Sequence, residues 1–194
     1  FNVTARSHKS AVGLWQFIAS TGRNYGLKIN RWIDERRDPV LSTRAAITYL
    51  KHLYGLFGDW ELAMAAYNTG EGRVRRAIKK AKRKGLKHNY SSLRLPRETR
   101  SYVPAIMAMA VIYKNPAKYG LGHVRPIDAM DETKASLPVS FSLEEVAQRS
   151  KMSFRLLREK NQALFLGVPP MTQKRYSFYI PQRFHTNLMA SMEQ

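Results

Sequence analysis

The sequence predicts a mainly α-helical domain followed by a small α+β module. Apolar residues recur every three or four positions over residues 46–57, which is the spacing of one buried helix face. Residues 60–67 and 71–82 show the same period, with a helix break between them. Beyond residue 136 the pattern changes, because strand signals at residues 137–141 and 175–180 flank two short helical segments.

Three further segments are assigned from local signals. Residues 11–25 predict a short helix with a break near Gly22. Residues 32–39 are interpreted as a charged connector that ends at a helix start. Residues 97–113 predict a long helix that contains Pro104 in its interior.

The composition limits the classes of protein that are possible. The 194 residues suffice for one medium domain or two small ones, and 44% of them are hydrophobic, so a buried core is expected. The chain has no cysteine, which excludes disulfides and cysteine-ligated zinc. Its 5 histidines show no metal-ligand spacing, and no run of about twenty apolar residues could span a membrane.

Positive charge is concentrated in the first part of the chain. Residues 1–121 hold 23 Lys and Arg against 7 Asp and Glu, whereas residues 122–194 hold 10 against 7. Residues 73–87 include nine basic residues and no acid. This charge favours polyanions such as the bacterial cell wall, although a solvated helix face explains it more simply. Nucleic acid is not expected as a partner, because no nucleic-acid-binding motif accompanies the charge.

A corner between two helices carries the first candidate binding residues. Gly70 follows the apolar period of residues 60–67, and glycine is typical of a helix end because it accepts a positive φ. Tyr67 and Asn68 therefore lie at the corner, beside the next helix. A phenol and a primary amide suit a ligand rich in hydroxyl and amide groups, such as a sugar. The alternative is an ordinary corner, with Tyr67 in the core and Asn68 as a cap.

Two other motifs join this corner. In chain order the set comprises Ser7 with Gly13-Leu14-Trp15-Gln16-Phe17, then Ala66-Tyr67-Asn68-Thr69-Gly70-Glu71-Gly72, then Glu98-Thr99-Arg100-Ser101-Tyr102-Val103-Pro104. Over residues 1–121 this ordered set resembles the soluble lytic transglycosylase family, whose fold is similar to goose-type lysozyme. The resemblance implies a lysozyme-like catalytic domain at residues 1–121 and a linker at residues 122–135.

The last segment, residues 136–194, resembles a degenerate LysM module. Its β-α-α-β order places Ser142 and Ser153 where the N-caps of the two helices are expected, and residues 185–194 predict a terminal helix. Modules of this kind bind N-acetylglucosamine in peptidoglycan or chitin. Because residues 139–143 replace the usual Gly-Asp-Thr opening, packing against the first domain is the alternative to independent glycan binding.

The resemblance implies a reaction on peptidoglycan. Enzymes of this family cleave the β-1,4 bond between N-acetylmuramic acid (MurNAc) and N-acetylglucosamine (GlcNAc) without water. One glutamate protonates the linking oxygen and then takes the proton of the MurNAc C6 hydroxyl, which closes a 1,6-anhydro ring. Neither a cofactor nor a metal ion is needed. A glutamate in this role must be protonated near neutral pH, which an apolar pocket favours.

The family's glutamate is expected outside the sequence. It belongs to a Glu-Ser pair, and the family pattern places the acid three residues before the position of Phe1. We therefore expect no catalytic acid in the chain, and no activity from the chain alone. Glu71 lies in the first turn of a predicted helix, where a carboxylate favours the helix dipole. Glu98 stands between Arg97 and Arg100, so an ion pair is expected there.

The resemblance also assigns substrate-binding roles to six residues: Ser7, Trp15, Gln16, Tyr67, Asn68 and Tyr102. Ser7 and Gln16 match family residues that face the sugar. Tyr67 and Asn68 match family residues that orient the sugar and the acid. Tyr102 matches a tyrosine near the acid. Trp15 replaces a more common methionine and could equally be part of the core.

The resemblance implies peptidoglycan glycan strands as the partner. It further implies a monomer in the periplasm of the bacterial envelope, with lipid anchoring of the parent protein to the outer membrane as one option. Two alternatives remain open. One is a non-catalytic peptidoglycan-binding protein, and the other is a hydrolase of the lysozyme type.

Overall fold

The computed structural model describes residues 2–124 and 131–192, and the chain forms two compact units. The first unit comprises residues 1–46 and 128–194, and the second comprises residues 47–127. The boundary between them falls inside a helix. The described residues form eight α-helices and one two-stranded sheet, so the predicted mainly α class is confirmed. Within those residues no helix has both the length and the apolar character needed to cross a membrane.

The first unit combines an irregular N-terminal segment with most of the C-terminal third of the chain. Its elements are α1 (Ala19–Asn24), the start of α2 (Pro39–Phe57), β1 (Glu132–Pro138), α6 (Leu143–Ser150), α7 (Phe154–Lys160), β2 (Arg175–Pro181) and α8 (Gln182–Met192). The predicted β-α-α-β order is present. The first strand, at residues 132–138, begins five residues before the strand predicted at residues 137–141. It therefore starts within the predicted linker at residues 122–135. Residues 125–130 of that linker lie outside the described part of the chain.

The caps of α6 and α7 agree with the sequence prediction. The Ser142 hydroxyl accepts a hydrogen bond from the Glu145 N–H, and the Glu145 carboxylate accepts one from the Ser142 N–H, which is a complete capping box. The Ser153 hydroxyl likewise accepts from the Leu156 N–H. Each cap satisfies donors that a helix start leaves free, so both helices begin at the predicted residues.

The core of the first unit lies between the sheet and helices α6 to α8. The two strands are antiparallel, with Ala135 opposite Phe178, and every second side chain of each strand points into this core. Ile33, from the segment before α2, is buried in the same cluster. The segment thus packs against the C-terminal strands and helices.

The helix predicted at residues 11–25 is wrong. Residues 11–18 form turns and isolated bridges, and only α1 is helical, with Gly22 inside it rather than at a break. The cause is a left-handed backbone at Gly13 (φ +83°) and Gln16 (φ +51°), which a helix cannot contain. At Gly13 a Cβ atom would lie 1.8 Å from the carbonyl oxygen of Arg36, so only glycine fits.

The second unit is built from helices only. It contains the remainder of α2, then α3 (Trp60–Thr69), α4 (Glu71–Arg83) and α5 (Arg97–Lys114). The inner face of α3, residues 62–66, is buried with Leu53, Val74 and Val103 in a second core. Gly70, with φ +88°, separates α3 from α4 as predicted, and α5 continues through Pro104.

A pair of glycine substitutions tests the close approach at Gly13. Gly13→Ala should destabilise the first unit by more than Gly26→Ala, since both residues have a positive φ but nothing lies within 4 Å of a Cβ at Gly26. The strained backbone alone costs about 1–2 kcal/mol, and the clash with the Arg36 carbonyl group should add about 1–3 kcal/mol. Urea unfolding of both variants measures this difference. Equal losses would show that the clash is relieved without cost.

Candidate functional site

The six predicted site residues fall into two local groups. Ser7, Trp15 and Gln16 belong to the N-terminal loop of the first unit, and Tyr67, Asn68 and Tyr102 belong to α3 and α5 of the second unit. Each group is assembled by hydrogen bonds or ring contacts within its own unit. Their roles in binding remain predictions.

The side chain of Arg36 fixes the shape of the N-terminal loop. It forms a bidentate ion pair with Asp34, with both N–O distances 2.8 Å, and both side chains are buried. The remaining guanidinium nitrogen, Nη1, donates to the carbonyl oxygens of Ser10 and Phe17 at 3.1 Å. The loop between these two carbonyl groups is thus held at both ends by one side chain. The sequence predicted a charged connector here, and nothing in its pattern indicated burial.

Ser7 and Gln16 are positioned by short local bonds. The Ser7 hydroxyl oxygen accepts from the N–H groups of Lys9 and Ala11, at 3.2 and 3.1 Å, so its own O–H can still donate to a ligand. The amide nitrogen of Gln16 donates to the carbonyl oxygen of Gly13 at 2.7 Å and to that of Ala5 at 3.3 Å. These bonds fix the exposed amide of Gln16, whose oxygen is an acceptor that a ligand could use.

Trp15 has a structural bond that the motif did not indicate. Its indole N–H donates to the Thr43 hydroxyl at 2.7 Å, and that hydroxyl donates to the Pro39 carbonyl oxygen in the first turns of α2. Because an indole has a single donor, Trp15 can offer a ligand only its ring. The half-buried side chain therefore anchors the loop to α2 within the first unit.

In the second unit, Asn68 is held by two residues of α5. The buried Thr99 hydroxyl donates to the Asn68 amide oxygen at 2.7 Å. The Asn68 amide nitrogen lies 3.5 Å from a carboxylate oxygen of Glu98, at the outer limit of a hydrogen bond. Thr99 was not among the predicted site residues, although it lies within the third motif. The corner is therefore more than a helix cap, because the amide is clamped from a different helix.

Tyr67 and Tyr102 provide hydroxyl groups that remain protonated. Burial raises the pKa of Tyr67 well above its usual value, with smaller contributions from the hydroxyls of Tyr102 and Tyr49. Burial also raises the pKa of Tyr102. The ring of Tyr67 packs against that of Tyr49, with centroids 5.2 Å apart. Both tyrosines are therefore neutral donors at physiological pH, beside the neutral amide of Asn68.

Neither of the two alternative acids is buried. Glu71 opens α4, as predicted, and its carboxylate lies 3.8 Å from the His52 imidazole nitrogen. Glu98 is exposed, and in the described residues no ion pair joins it to Arg97 or Arg100, so the predicted pair is absent. Across residues 2–124 and 131–192, no cluster of three or more His, Asp or Glu residues could hold a metal ion.

Comparison with known proteins identifies the class. Residues 1–90 match the model of the family described as "Transglycosylase SLT domain". The family indicated by the three motifs is thus confirmed over residues 1–90.

Individual relatives agree with this class. The chain is 43% identical over 166 residues, 83% of its length, to proteins named membrane-bound lytic murein transglycosylase D in Escherichia coli strains K12 and O6:H1. It is 28% identical over 158 residues, 80% of its length, to peptidoglycan transglycosylase gp16 of Escherichia phage T7. The chain spans 36% of the length of the Escherichia coli relatives and 11% of the phage protein.

The buried tyrosine predicts a specific dependence of stability on pH. The pKa of Tyr67 is higher in the folded state than the unfolded value of about 10. Above about pH 10 the unfolded state therefore loses the Tyr67 proton more readily than the folded state, and the free energy of unfolding falls as pH rises. Below about pH 10 the tyrosine is protonated in both states and this loss is absent. The loss is at most about 1.4 kcal/mol per pH unit for each such group. Tyr67→Phe should therefore lose less stability than the parent protein between pH 10 and 11.

Urea unfolding at each pH measures this effect, and Tyr113→Phe is the matched control. The Tyr113 side chain is 84% exposed, so its replacement should leave the pH dependence of the parent protein in place. A pH dependence of Tyr67→Phe that equals that of the parent would contradict the burial of the Tyr67 hydroxyl.

Proposed function

We propose that this protein is a peptidoglycan lytic transglycosylase that cleaves the β-1,4 bond between MurNAc and GlcNAc and leaves 1,6-anhydro-MurNAc ends. The observation that supports this most strongly is the match of residues 1–90 to the SLT transglycosylase domain. The 43% identity to a lytic murein transglycosylase extends over 83% of the chain, which adds support. Because that relative is much longer than the chain, the activity of the whole protein is part of the proposal.

The chemistry of the candidate residues agrees with a sugar substrate. Neutral hydroxyl and amide groups match the hydroxyl and N-acetyl groups of peptidoglycan sugars, and a fixed orientation reduces the entropy that binding would cost. Gln16 would accept a hydrogen bond from the sugar through its amide oxygen, and Ser7 would donate one. Asn68 and Tyr67 would orient the reacting sugar, and Tyr102 would lie near the acid.

We propose that the acid is the glutamate of the family's Glu-Ser pair, which the family pattern places before Phe1. It would give its proton to the glycosidic oxygen as that bond breaks, and it would then accept the C6 hydroxyl proton while the C6 oxygen bonds to C1. A site lined by neutral hydroxyl groups rather than cations would help this glutamate stay protonated. The engagement of Glu71 by His52 and the exposure of Glu98 are the reasons for not assigning the role to either residue.

The remaining features are assigned by the same resemblance. We propose a lysozyme-like arrangement for the helical domain at residues 1–121 and a LysM-like module at residues 136–194, joined by residues 122–135. The β-α-α-β order and the two capped helices support the second assignment. The protein would act on glycan strands in the bacterial envelope, as a monomer in the periplasm.

Incubation with purified peptidoglycan sacculi, followed by mass analysis of the soluble products, tests the reaction. We expect no release by the chain of residues 1–194, and 1,6-anhydro products once the preceding segment with its Glu-Ser pair is present. In water labelled with oxygen-18, reducing ends that carry the label would instead identify a lysozyme-type hydrolase. Binding without any release by the extended protein would identify a peptidoglycan-binding protein. Release by the chain alone would reject our assignment of the acid.

A matched pair of substitutions tests the role of the N-terminal loop. In the extended protein, Gln16→Ala should lower turnover of sacculi about tenfold, because one hydrogen bond to the sugar is worth about 1.4 kcal/mol. Gln148→Ala, at an exposed position of α6, should leave turnover unchanged. Equal turnover of the two variants would remove Gln16 from the binding site.

The basic helix α4 should aid association with the wall but not bond cleavage. Exposed cations attract the anionic wall over a screening distance of about 8 Å at physiological ionic strength, so their effect is largest in low salt. The tested variant replaces four exposed residues with glutamine: Lys79, Lys80, Arg83 and Lys84. We expect weaker retention on sacculi in low salt, and nearly unchanged turnover of a short uncharged glycan by the extended protein.

The control for this variant makes the same change in charge on the first unit. It replaces four other exposed residues with glutamine: Lys151, Arg158, Lys174 and Arg183. If both variants lose the same retention, net charge rather than the position of α4 is responsible. A collapse of turnover on the short glycan in the α4 variant would show that α4 belongs to the catalytic cleft.

A further inference from the structure

A polar cavity lies between the sheet and the segment before α2 in the first unit. Its volume is about 240 Å³, below the 300 Å³ or so at which clefts for drug-sized ligands begin. One wall is formed by outward-facing residues of the strands, Lys134, Arg175 and Tyr179, which alternate with the buried core positions. The facing wall is formed by the segment before α2, including Glu35 and Asp38. None of the six candidate sugar-binding residues lines this cavity.

Three cationic side chains line the cavity. Lys28, Lys134 and Arg175 are all exposed, and none forms an ion pair within 4.0 Å of another described residue. Arg175 donates to the hydroxyl and carbonyl oxygens of Ser136, and the Lys134 ammonium lies 4.9 Å from the ring centre of Tyr179. These contacts hold Arg175 and Lys134 near the opening.

The two carboxylates of the cavity accept hydrogen bonds from the backbone. The Asp38 carboxylate caps α2, because one of its oxygens accepts from the N–H groups of Val40 and Leu41 at 2.8 Å. The Glu35 carboxylate accepts from the backbone N–H of Lys28 at 2.6 Å; burial raises the pKa of Glu35, and the charges of Lys28 and Lys134 act in the opposite direction. Because three cations face two carboxylates, the cavity carries one net positive charge.

Neutral donors and apolar groups complete the lining. Burial and the nearby charges of Glu35 and Asp38 raise the pKa of Tyr176 to about 12, so its hydroxyl is a donor at neutral pH. The Gln173 amide also lines the cavity, and it offers both donors and an acceptor. Apolar contacts are available from Ile33, Leu41 and Ala163.

We propose that this cavity binds the free carboxyl end of a short peptide with small apolar side chains, such as an alanine-terminated stem peptide of peptidoglycan. The link to peptidoglycan rests on the function proposed above. Arg175 and Lys134 bind the carboxylate, the Gln173 amide and the Tyr176 hydroxyl bind the peptide group, and the apolar residues receive a methyl side chain. Carboxylate recognition by an arginine is directional, so a peptide with a blocked end is discriminated against.

Titration of the chain with acetyl-D-alanyl-D-alanine tests the proposal, with the same dipeptide as its amide for comparison. Binding is followed by nuclear magnetic resonance of the protein, with calorimetry for the affinity. The free acid should shift resonances of Tyr176 and Gln173. The affinity for the amide should be lower than that for the acid by a factor of about ten or more. Equal binding of acid and amide, or no binding of either, overturns the proposal.

Charge variants locate the site. Arg175→Gln and Lys134→Gln should each weaken binding of the acid about tenfold, whereas the matched controls Arg158→Gln and Lys151→Gln should leave it unchanged. Circular dichroism checks that each variant is folded. Arg175 also donates hydrogen bonds to Ser136, so Arg175→Gln could unfold the protein. In that case the Lys134→Gln variant alone decides the test. Unchanged binding in the folded variants overturns the assignment.

Three further outcomes bear on this inference, and the last two separate it from the proposed function. If chito-oligosaccharide shifts the same resonances and displaces the dipeptide, the cavity is a glycan site and the proposal is wrong. Cleavage of sacculi by the extended protein without dipeptide binding rejects this inference alone. Dipeptide binding without cleavage of sacculi supports the carboxylate site and rejects the transglycosylase function.

Discussion

The first unit depends on the buried ion pair between Asp34 and Arg36. Removing two charges from water is costly, and it is tolerated here because the guanidinium meets the carboxylate in a bidentate pair and also donates to two carbonyl groups. Those carbonyl groups, of Ser10 and Phe17, delimit the loop that carries Gln16. The Asp34 N–H in turn donates to the Ala163 carbonyl oxygen at 2.8 Å, so the same connection reaches the C-terminal module.

The second unit fixes its candidate residues by a different device. Asn68 lies in the last turn of α3, just before the corner at Gly70, and its amide is oriented by the buried Thr99 of α5. Both helices pack through a core of small and apolar residues, so the clamp is as rigid as the helix packing behind it. A neutral amide and two un-ionised tyrosines result, which is a chemistry suited to neutral sugars rather than to ions.

The candidate sugar-binding residues and the cavity beside the sheet differ in charge. The candidate sugar-binding residues are uncharged, whereas the cavity is lined by three cations and two carboxylates. That cavity exists because the segment before α2 packs against the C-terminal module, with Ile33 buried in the module's core. A module that was only tethered by a linker would not create it. The burial of Ile33 therefore joins the segment before α2 and the C-terminal module in one core.

The sequence by itself determined the helices over α2 to α5, the caps at Ser142 and Ser153, and the identity of the family. The helices and the caps depend on residues within a few positions of each other, so a short window of sequence encodes them. The family was indicated by three short motifs in a fixed order along the chain. All six candidate site residues came from motifs, and their local environments came from the structure. Only the tertiary structure decided that residues 11–18 form turns instead of a helix and that Arg36 is buried. The reason is that these features depend on contacts between distant parts of the chain. The Gly13 backbone must clear the Arg36 carbonyl group, and the Arg36 side chain finds its acceptors 19 and 26 residues away.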